Sequence, residues 1–205
     1  MSAMQIINLR ADPRSNFGST VAQTWRMSPS LTPRTRKPPS PIDAARLDAL
    51  ALGYVGRYAT TRAKLAAYLA RKLAVAGWAG DGTPPVAAIV ARFAELGYID
   101  DAAFARARGA ALGRRGYGAR RVADALRAAG IARDDAAPVE TEARDDPLAS
   151  ALAFARRRRI GPYGERPADG VAHRRALGAM LRAGHAIAVA RRVLDMPPGA
   201  ETDME

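Results

Sequence analysis

The chain has 205 residues, of which 32 are basic and 20 acidic, and its formal net charge is +12. This length excludes a large multidomain enzyme, the lack of cysteine excludes disulfides and thiolate metal sites, and arginines interrupt every apolar stretch before it could span a membrane. We therefore expect a cytoplasmic protein whose partner is a polyanion or an acidic protein.

Residues 1–41 differ in composition from the rest of the chain. They contain six prolines, six basic residues and one acid, without helical periodicity. This composition predicts a disordered basic tail. One hypothesis is that the natural protein starts at Met27, which lies within this tail.

From Ile42 onward, apolar residues recur every three or four positions, which predicts an all-α fold. Thr83 is the predicted N-cap of the third helix and Asp100 that of the fourth. Residues 132–147 are acidic and contain two prolines, so we expect only one short helix there. The other helices are predicted over 47–54, 65–73, 86–96, 101–112, 122–129, 148–159, 171–181 and 187–194.

The helical pattern recurs along the chain. Alanine-rich helices end at Gly77, Gly130 and Gly184, at intervals of 53 and 54 residues, and a basic turn that contains a tyrosine precedes each of them. This recurrence predicts three tandem three-helix repeats stacked into an elongated, curved array. The predicted repeats cover 42–99, 100–144 and 145–195, and a short acidic tail follows at 196–205.

Two stretches in the middle of the chain carry a family resemblance. Leu96-Gly-Tyr-Ile-Asp-Asp101 is followed by Phe104, and Arg115-Gly-Tyr-Gly118 is followed by Arg121. With these motifs and the segments 58–65, 69–73 and 126–131, residues 47–195 resemble the RecX family of recombinase regulators. His185 stands where this family usually has an aromatic residue.

The resemblance implies a function that rests on binding, without catalysis. Proteins of this family lodge in the groove of the RecA filament on single-stranded DNA, and they restrain its strand exchange, ATPase and coprotease functions. The chain is thereby expected to modulate DNA repair and the SOS response. The resemblance also implies weaker binding to bare single-stranded DNA than to the filament. We further expect a monomer that needs no cofactor.

Basic clusters are the predicted contacts with the filament or its DNA, because arginine side chains bind carboxylates and phosphates bidentately. The turn that contains Tyr117 is the best candidate, since its three glycines expose the backbone, although Tyr117 itself is expected to pack between helices. The other clusters are equally typical of solvated helix faces. The predicted contact residues are Arg62, Lys72, Arg114, Arg115, Tyr117, Arg120, Arg121, Arg157 and Arg158.

No set of residues indicates an enzyme or a metal site. His173 and His185 are interpreted as surface histidines, and the adjacent acids Asp100 and Asp101 as helix-capping residues. Two alternatives to the family interpretation stay open. One is a basic helical protein that binds DNA or RNA directly, with a steep salt dependence, and the other is a scaffold for an acidic protein.

Overall fold

The computed structural model describes residues 40–165 and 170–200. In these ranges the chain forms nine α-helices and one 3-10 turn, with no strand beyond an isolated bridge, which confirms the predicted all-α class. The predicted tail lies outside the described residues except for its last two positions. Met27 and residues 201–205 of the predicted acidic tail also lie outside them.

The helices follow one another with short connections. The 3-10 turn is Gly161–Tyr163, between the seventh and eighth helices. The helices are α1 (Ala44–Val55), α2 (Arg62–Ala76), α3 (Val86–Glu95), α4 (Asp101–Gly113), α5 (Ala119–Ala128), α6 (Arg133–Asp145), α7 (Pro147–Arg158), α8 (Gly170–Arg182) and α9 (Ile187–Leu194).

Side-chain caps fix the starts of several helices. Asp100 accepts a hydrogen bond from Ala103 N at 2.7 Å, which confirms its predicted role at the start of α4. The prediction for Thr83 was wrong. Pro85 occupies the N-cap position of α3 without a side-chain hydrogen bond, and Thr83 lies two residues too early to reach the first turn.

Three hydrophobic clusters lie along the chain, each formed by three consecutive helices and their flanking residues. The first cluster belongs to α1–α3 and has Leu47, Leu65, Leu69 and Phe93 at its centre. The second belongs to α4–α6 and contains Leu112, Val122, Leu126 and Val139. The third belongs to α7–α9 and contains Leu152, Phe154, Met180 and Val193.

Helix α6 corrects the prediction of one short helix over 132–147. It extends over 13 residues although it contains Pro138, and it buries Ala136 and Val139. Close packing explains this length, because Gly109 on α4 has no Cβ and the side chain of Val139 occupies the space where one would lie. Burial against α4 and α5 therefore offsets the helix-breaking effect of the proline.

Hydrogen bonds next to helix-ending glycines connect consecutive clusters. Thr61 Oγ1, before α2, donates to Ala129 O at 2.7 Å, and Gly118 N, before α5, donates to Ala183 O at 3.0 Å. Each acceptor directly precedes a glycine with positive φ that ends a helix. In both cases the residue just before the second helix of one cluster donates a hydrogen bond to the backbone at the end of the second helix of the next cluster.

The second helix of each cluster ends at a glycine with positive φ, and we call these ends the first, second and third corner, at Gly77, Gly130 and Gly184. The first corner is bonded to the segment before α1. Ile42 N donates to Gly77 O at 2.9 Å, and Ala79 N donates back to Ile42 O at 2.9 Å. Trp78, between them, is half-buried against the first cluster. This exchange of bonds forms the single bridge noted above.

Candidate functional site

A basic cavity of about 490 Å³ lies between α2, α4 and α5. We refer to it as the basic cavity. Its wall includes four cations, two aromatic rings and one carboxylate. The lining residues are Lys64, Phe104, Arg108, Leu112, Arg115, Tyr117, Arg121, Asp124, Ala125, Ala128 and Ala129.

Helical spacing brings most of these side chains to one surface. Phe104, Arg108 and Leu112 follow one another at intervals of four on α4, and Arg115 continues the series just past the end of the helix. Residues four apart lie on the same face of a helix. On α5, Arg121, Ala125 and Ala128 form the facing series, and Lys64 enters from the first turn of α2.

The turn that holds Tyr117 is fixed by contacts with α7 and with the corner after α8. Gly116 has φ +71°, and a Cβ on it would overlap the backbone of Phe154. A Cβ on Gly118 would overlap the carbonyl group of Gly184. Both glycines are therefore required by close backbone approach, and this packing holds Tyr117 between the second and third clusters.

The aromatic rings of the basic cavity carry cations. Lys64 Nζ lies 4.4 Å from the centroid of the Phe104 ring. The guanidinium carbons of Arg115 and Arg121 lie 5.1 and 6.0 Å from the centroid of the Tyr117 ring, and Arg115 also donates to Tyr117 Oη at 3.3 Å. Such contacts restrict the cations to defined positions while their outer N–H groups stay available.

The charges of the basic cavity are not balanced by acids. Asp124 is its one carboxylate, and it pairs with Arg127 at 2.9 Å on an exposed part of α5. Within residues 40–165 and 170–200, no carboxylate forms an ion pair with any of the four cations of the cavity. The cavity therefore has an excess of positive charge and can attract an anionic group.

His185 contacts the turn that contains Tyr117 through a buried hydrogen bond. The side chain is only 6% exposed, so its interpretation as a surface histidine was wrong. Nε2 lies 3.0 Å from Gly116 O and must carry the proton, because a carbonyl oxygen only accepts. Burial lowers the pKa of His185 below 6.5, and the hydrogen bond to Gly116 opposes this shift. The ring also packs 5.6 Å from that of Phe154.

The structure distributes the predicted contact residues over several places. Arg115, Tyr117 and Arg121 line the basic cavity together. Arg158 lies close by, 5.8 Å from the ring of Phe154, whose centroid is 6.3 Å from that of Tyr117. Three further predicted residues are exposed and do not line the cavity: Arg114, Arg120 and Arg157.

The two predicted residues on α2 face other surfaces. Arg62 lines an apolar groove between α2 and α3, and its backbone N–H donates to Asp101 Oδ1 at 3.0 Å. Asp101 is buried at this contact and thereby also joins α4 to α2. Lys72 Nζ lies 5.4 Å from the ring of Tyr68.

Sequence reasoning missed two of the four cations of the basic cavity, Lys64 and Arg108, and one of its two aromatic rings, Phe104. The spacing of Phe104, Arg108 and Leu112 was a usable signal, because it places a cation between two apolar residues on one helix face. No local signal exists for Lys64. Its position depends on the long-range bond that ties Thr61 to the second corner.

Other kinds of site are not found in the described residues. Within them, no group of three or more histidine, cysteine, aspartate or glutamate side chains is arranged to hold a metal ion. In the same residues, none of the helices has the length and apolarity that crossing a bilayer requires.

Comparison with known proteins gives one informative match. No family model matches the chain. The chain is 30% identical over 173 residues to a protein of Myxococcus xanthus (strain DK1622) named "Regulatory protein RecX". The match covers 80% of this chain and 92% of that protein.

Proposed function

Because the chain belongs to the RecX family of regulatory proteins, we propose that it binds the RecA filament on single-stranded DNA and inhibits its recombinase, ATPase and coprotease activities. It acts in the cytoplasm as a monomer, without a cofactor and without catalysis. Through RecA it modulates homologous recombination, DNA repair and the SOS response.

The basic cavity is the observation that carries this proposal. Its lining includes three contact residues that the sequence predicts, Arg115, Tyr117 and Arg121. Its cations have no carboxylate partners among the described residues, and ring contacts restrict the positions of Lys64, Arg115 and Arg121. An anionic group of the filament, a carboxylate of RecA or a phosphate of its DNA, would complete their hydrogen bonds.

The same proposal includes the arrangement of the chain in three repeats, 42–99, 100–144 and 145–195, stacked into a curved array. Two observations support it. Each range contains one of the three hydrophobic clusters. The hydrogen bonds from Thr61 to the second corner and from Gly118 to the third also join equivalent positions of consecutive ranges. An array of this kind offers a long surface to a filament.

Charge reversal in the basic cavity tests the function. We expect Arg115→Glu combined with Arg121→Glu to raise the concentration needed to inhibit the RecA ATPase on single-stranded DNA at least tenfold. The physical reason is that each lost charge-assisted contact contributes about 1.5–3 kcal/mol. The measurement is a titration of RecA ATPase with the full chain, paired with the affinity of each protein for the same DNA without RecA.

The matched control reverses two exposed arginines of α9, Arg191→Glu with Arg192→Glu, and changes the net charge by the same amount. We expect it to inhibit like the unaltered chain. Equal inhibition by both double variants would reject the basic cavity as the contact site. Absence of inhibition by the unaltered chain would reject the regulatory function itself.

Direct binding to nucleic acid is the second candidate function. The observation that favours it is the run from Arg156 to Arg159 at the end of α7, in which all four side chains are exposed. These charges can neutralise phosphates without any protein partner. In that case ATPase inhibition would occur only at concentrations that saturate the bare DNA, and the affinity would fall steeply with salt.

A further inference from the structure

A second cavity, of about 500 Å³, lies beside α1 and is lined by three of the six tyrosines of the chain. We refer to it as the tyrosine cavity. Tyr54 comes from α1, Tyr58 from the turn that follows and Tyr68 from α2. Gly53 and Arg57 also contribute to its wall.

The three rings form a continuous aromatic surface with an open outer end. The rings of Tyr54 and Tyr68 are stacked, with centroids 4.3 Å apart and planes at 17°. The ring of Tyr58 is tilted against that of Tyr54, with centroids 5.3 Å apart and planes at 50°. The side chain of Tyr58 is 59% exposed, although a tyrosine ring normally gains stability from burial.

The surroundings of the rings are basic. Arg57 lines the tyrosine cavity, and Lys72 Nζ lies 5.4 Å from the ring of Tyr68. None of the lining residues described for this cavity is acidic. A ligand with a flat ring against Tyr58 and a negative charge close to Arg57 therefore suits this cavity.

The exposed ring of the tyrosine cavity, Tyr58, differs from the rings of the basic cavity. There, the rings of Phe104 and Tyr117 already carry the cations Lys64, Arg115 and Arg121. In the tyrosine cavity no cation is placed over Tyr58 among the ring contacts of the described residues. The basic cavity is thus suited to an anionic group alone, whereas Tyr58 offers a ring for stacking.

We propose that the tyrosine cavity binds a base of single-stranded nucleic acid, which stacks on Tyr58 while the adjoining phosphate contacts Arg57. Aromatic platforms flanked by cations bind single strands in this manner, with little dependence on base identity. This direct contact with the bases would be additional to the proposed regulation of RecA, and it would form without RecA. An aromatic or proline side chain of a protein is the competing occupant.

The test compares two single-stranded oligonucleotides of equal length and charge, oligothymidine and an abasic strand, each titrated with the full chain. We expect the unaltered chain to bind oligothymidine about five- to tenfold more tightly. We expect Tyr58→Ala to remove this preference without changing the affinity for the abasic strand, because only the base contact is lost. The matched control Tyr98→Ala removes another exposed tyrosine, 54% exposed, and should keep the preference.

A variant that fills the tyrosine cavity provides a second test, in which a loss of base preference cannot be attributed to unfolding. Gly53 lines the tyrosine cavity, and a Cβ on it would contact no atom within 4 Å, so Gly53→Leu adds bulk where there is room. Leucine also favours the helix more than glycine does. We expect this variant to fold and to lose the preference for oligothymidine. Equal binding of both strands by the unaltered chain, or an unchanged preference in both variants, would overturn the proposal and leave a protein occupant.

These experiments distinguish a failure of the tyrosine cavity proposal from a failure of the proposed function. If Tyr58→Ala loses the base preference but still inhibits RecA ATPase, the tyrosine cavity binds bases and the regulation rests elsewhere. If no variant affects base preference while Arg115→Glu with Arg121→Glu abolishes inhibition, the regulatory proposal stands and the tyrosine cavity proposal fails.

Discussion

His185 shows how one buried side chain can make the support of a turn sensitive to pH. Its Nε2 bonds to Gly116 O and its ring packs on Phe154. An imidazolium would retain the hydrogen bond, but it would carry a charge into a buried position. Burial therefore dominates the shift and holds the pKa below 6.5.

The expected consequence is a loss of stability at acid pH. Since the folded-state pKa is lowered, the unfolded chain takes up the proton first as the pH falls, so the free energy of unfolding decreases below about pH 6.5. The decrease continues until the pH passes below the folded-state pKa, with a slope of at most about 1.4 kcal/mol per pH unit. Urea unfolding at several pH values between 7.5 and 5 measures it.

The control for this prediction is His185→Gln, which retains a side-chain donor for Gly116 O but does not titrate. We expect the variant to lack that part of the pH dependence, whatever its stability at pH 7.5. Parallel curves for the variant and the unaltered chain would show that other groups cause the acid sensitivity.

Among the helices, α6 illustrates how tertiary packing overrides the helix-breaking tendency of a proline. Pro138 lies in the sixth position of the helix and removes the N–H that would otherwise bond to the carbonyl of Asp134. The helix forms nonetheless, because its buried side chains Ala136 and Val139 pack into the second cluster. The acidic residues of its first turn also interact favourably with the helix dipole.

Replacing this proline should stabilise the protein. Pro138 is exposed, so Pro138→Ala restores one backbone donor without creating a cavity. We expect the free energy of unfolding to rise by about 1–3 kcal/mol, since proline within a helix costs about 3 kcal/mol and the greater freedom of the unfolded alanine chain offsets part of the gain. Thermal unfolding with calorimetry measures the change. A decrease in stability would mean that the proline itself fixes the path of α6.

The periodicity of the sequence predicted most helices because apolar residues at three- and four-residue spacing mark the face that packs. It located their boundaries less well, since α1, α2 and α5 each begin three residues earlier than predicted. It was wrong where proline was involved: consecutive prolines displace the start of α3 from Thr83, and packing rescues α6. The basic cavity was only partly predictable. Arg115, Tyr117 and Arg121 lie close in sequence, whereas Lys64 reaches the site from a distant helix.

At the scale of the whole molecule, one hydroxyl links the first cluster to the second. Thr61 Oγ1 donates to Ala129 O at 2.7 Å and also accepts from Lys64 N at 3.2 Å as the cap of α2. The group is completely buried. The same residue therefore starts a helix, joins two clusters and positions a cation of the basic cavity.

Removing that hydroxyl should weaken the connection between the clusters. We expect Thr61→Val to lower the free energy of unfolding by about 1–3 kcal/mol, because a buried acceptor and a helix donor both lose their partner. Hydrogen exchange should show α1–α3 opening at lower free energy than α4–α9. Thr61→Ser keeps the hydroxyl and is expected to preserve the joint opening. Uniform exchange in Thr61→Val would contradict this role.

The segment before α1 has a consequence for how copies of the chain can associate. Ile42 N donates to Gly77 O at the first corner, and Ala79 N donates back to Ile42 O. Head-to-tail polymerisation through the contacts that join consecutive clusters would need this corner exposed to the next copy. The chain covers it with its own segment before α1, so fibre growth through the first corner would require that segment to be displaced.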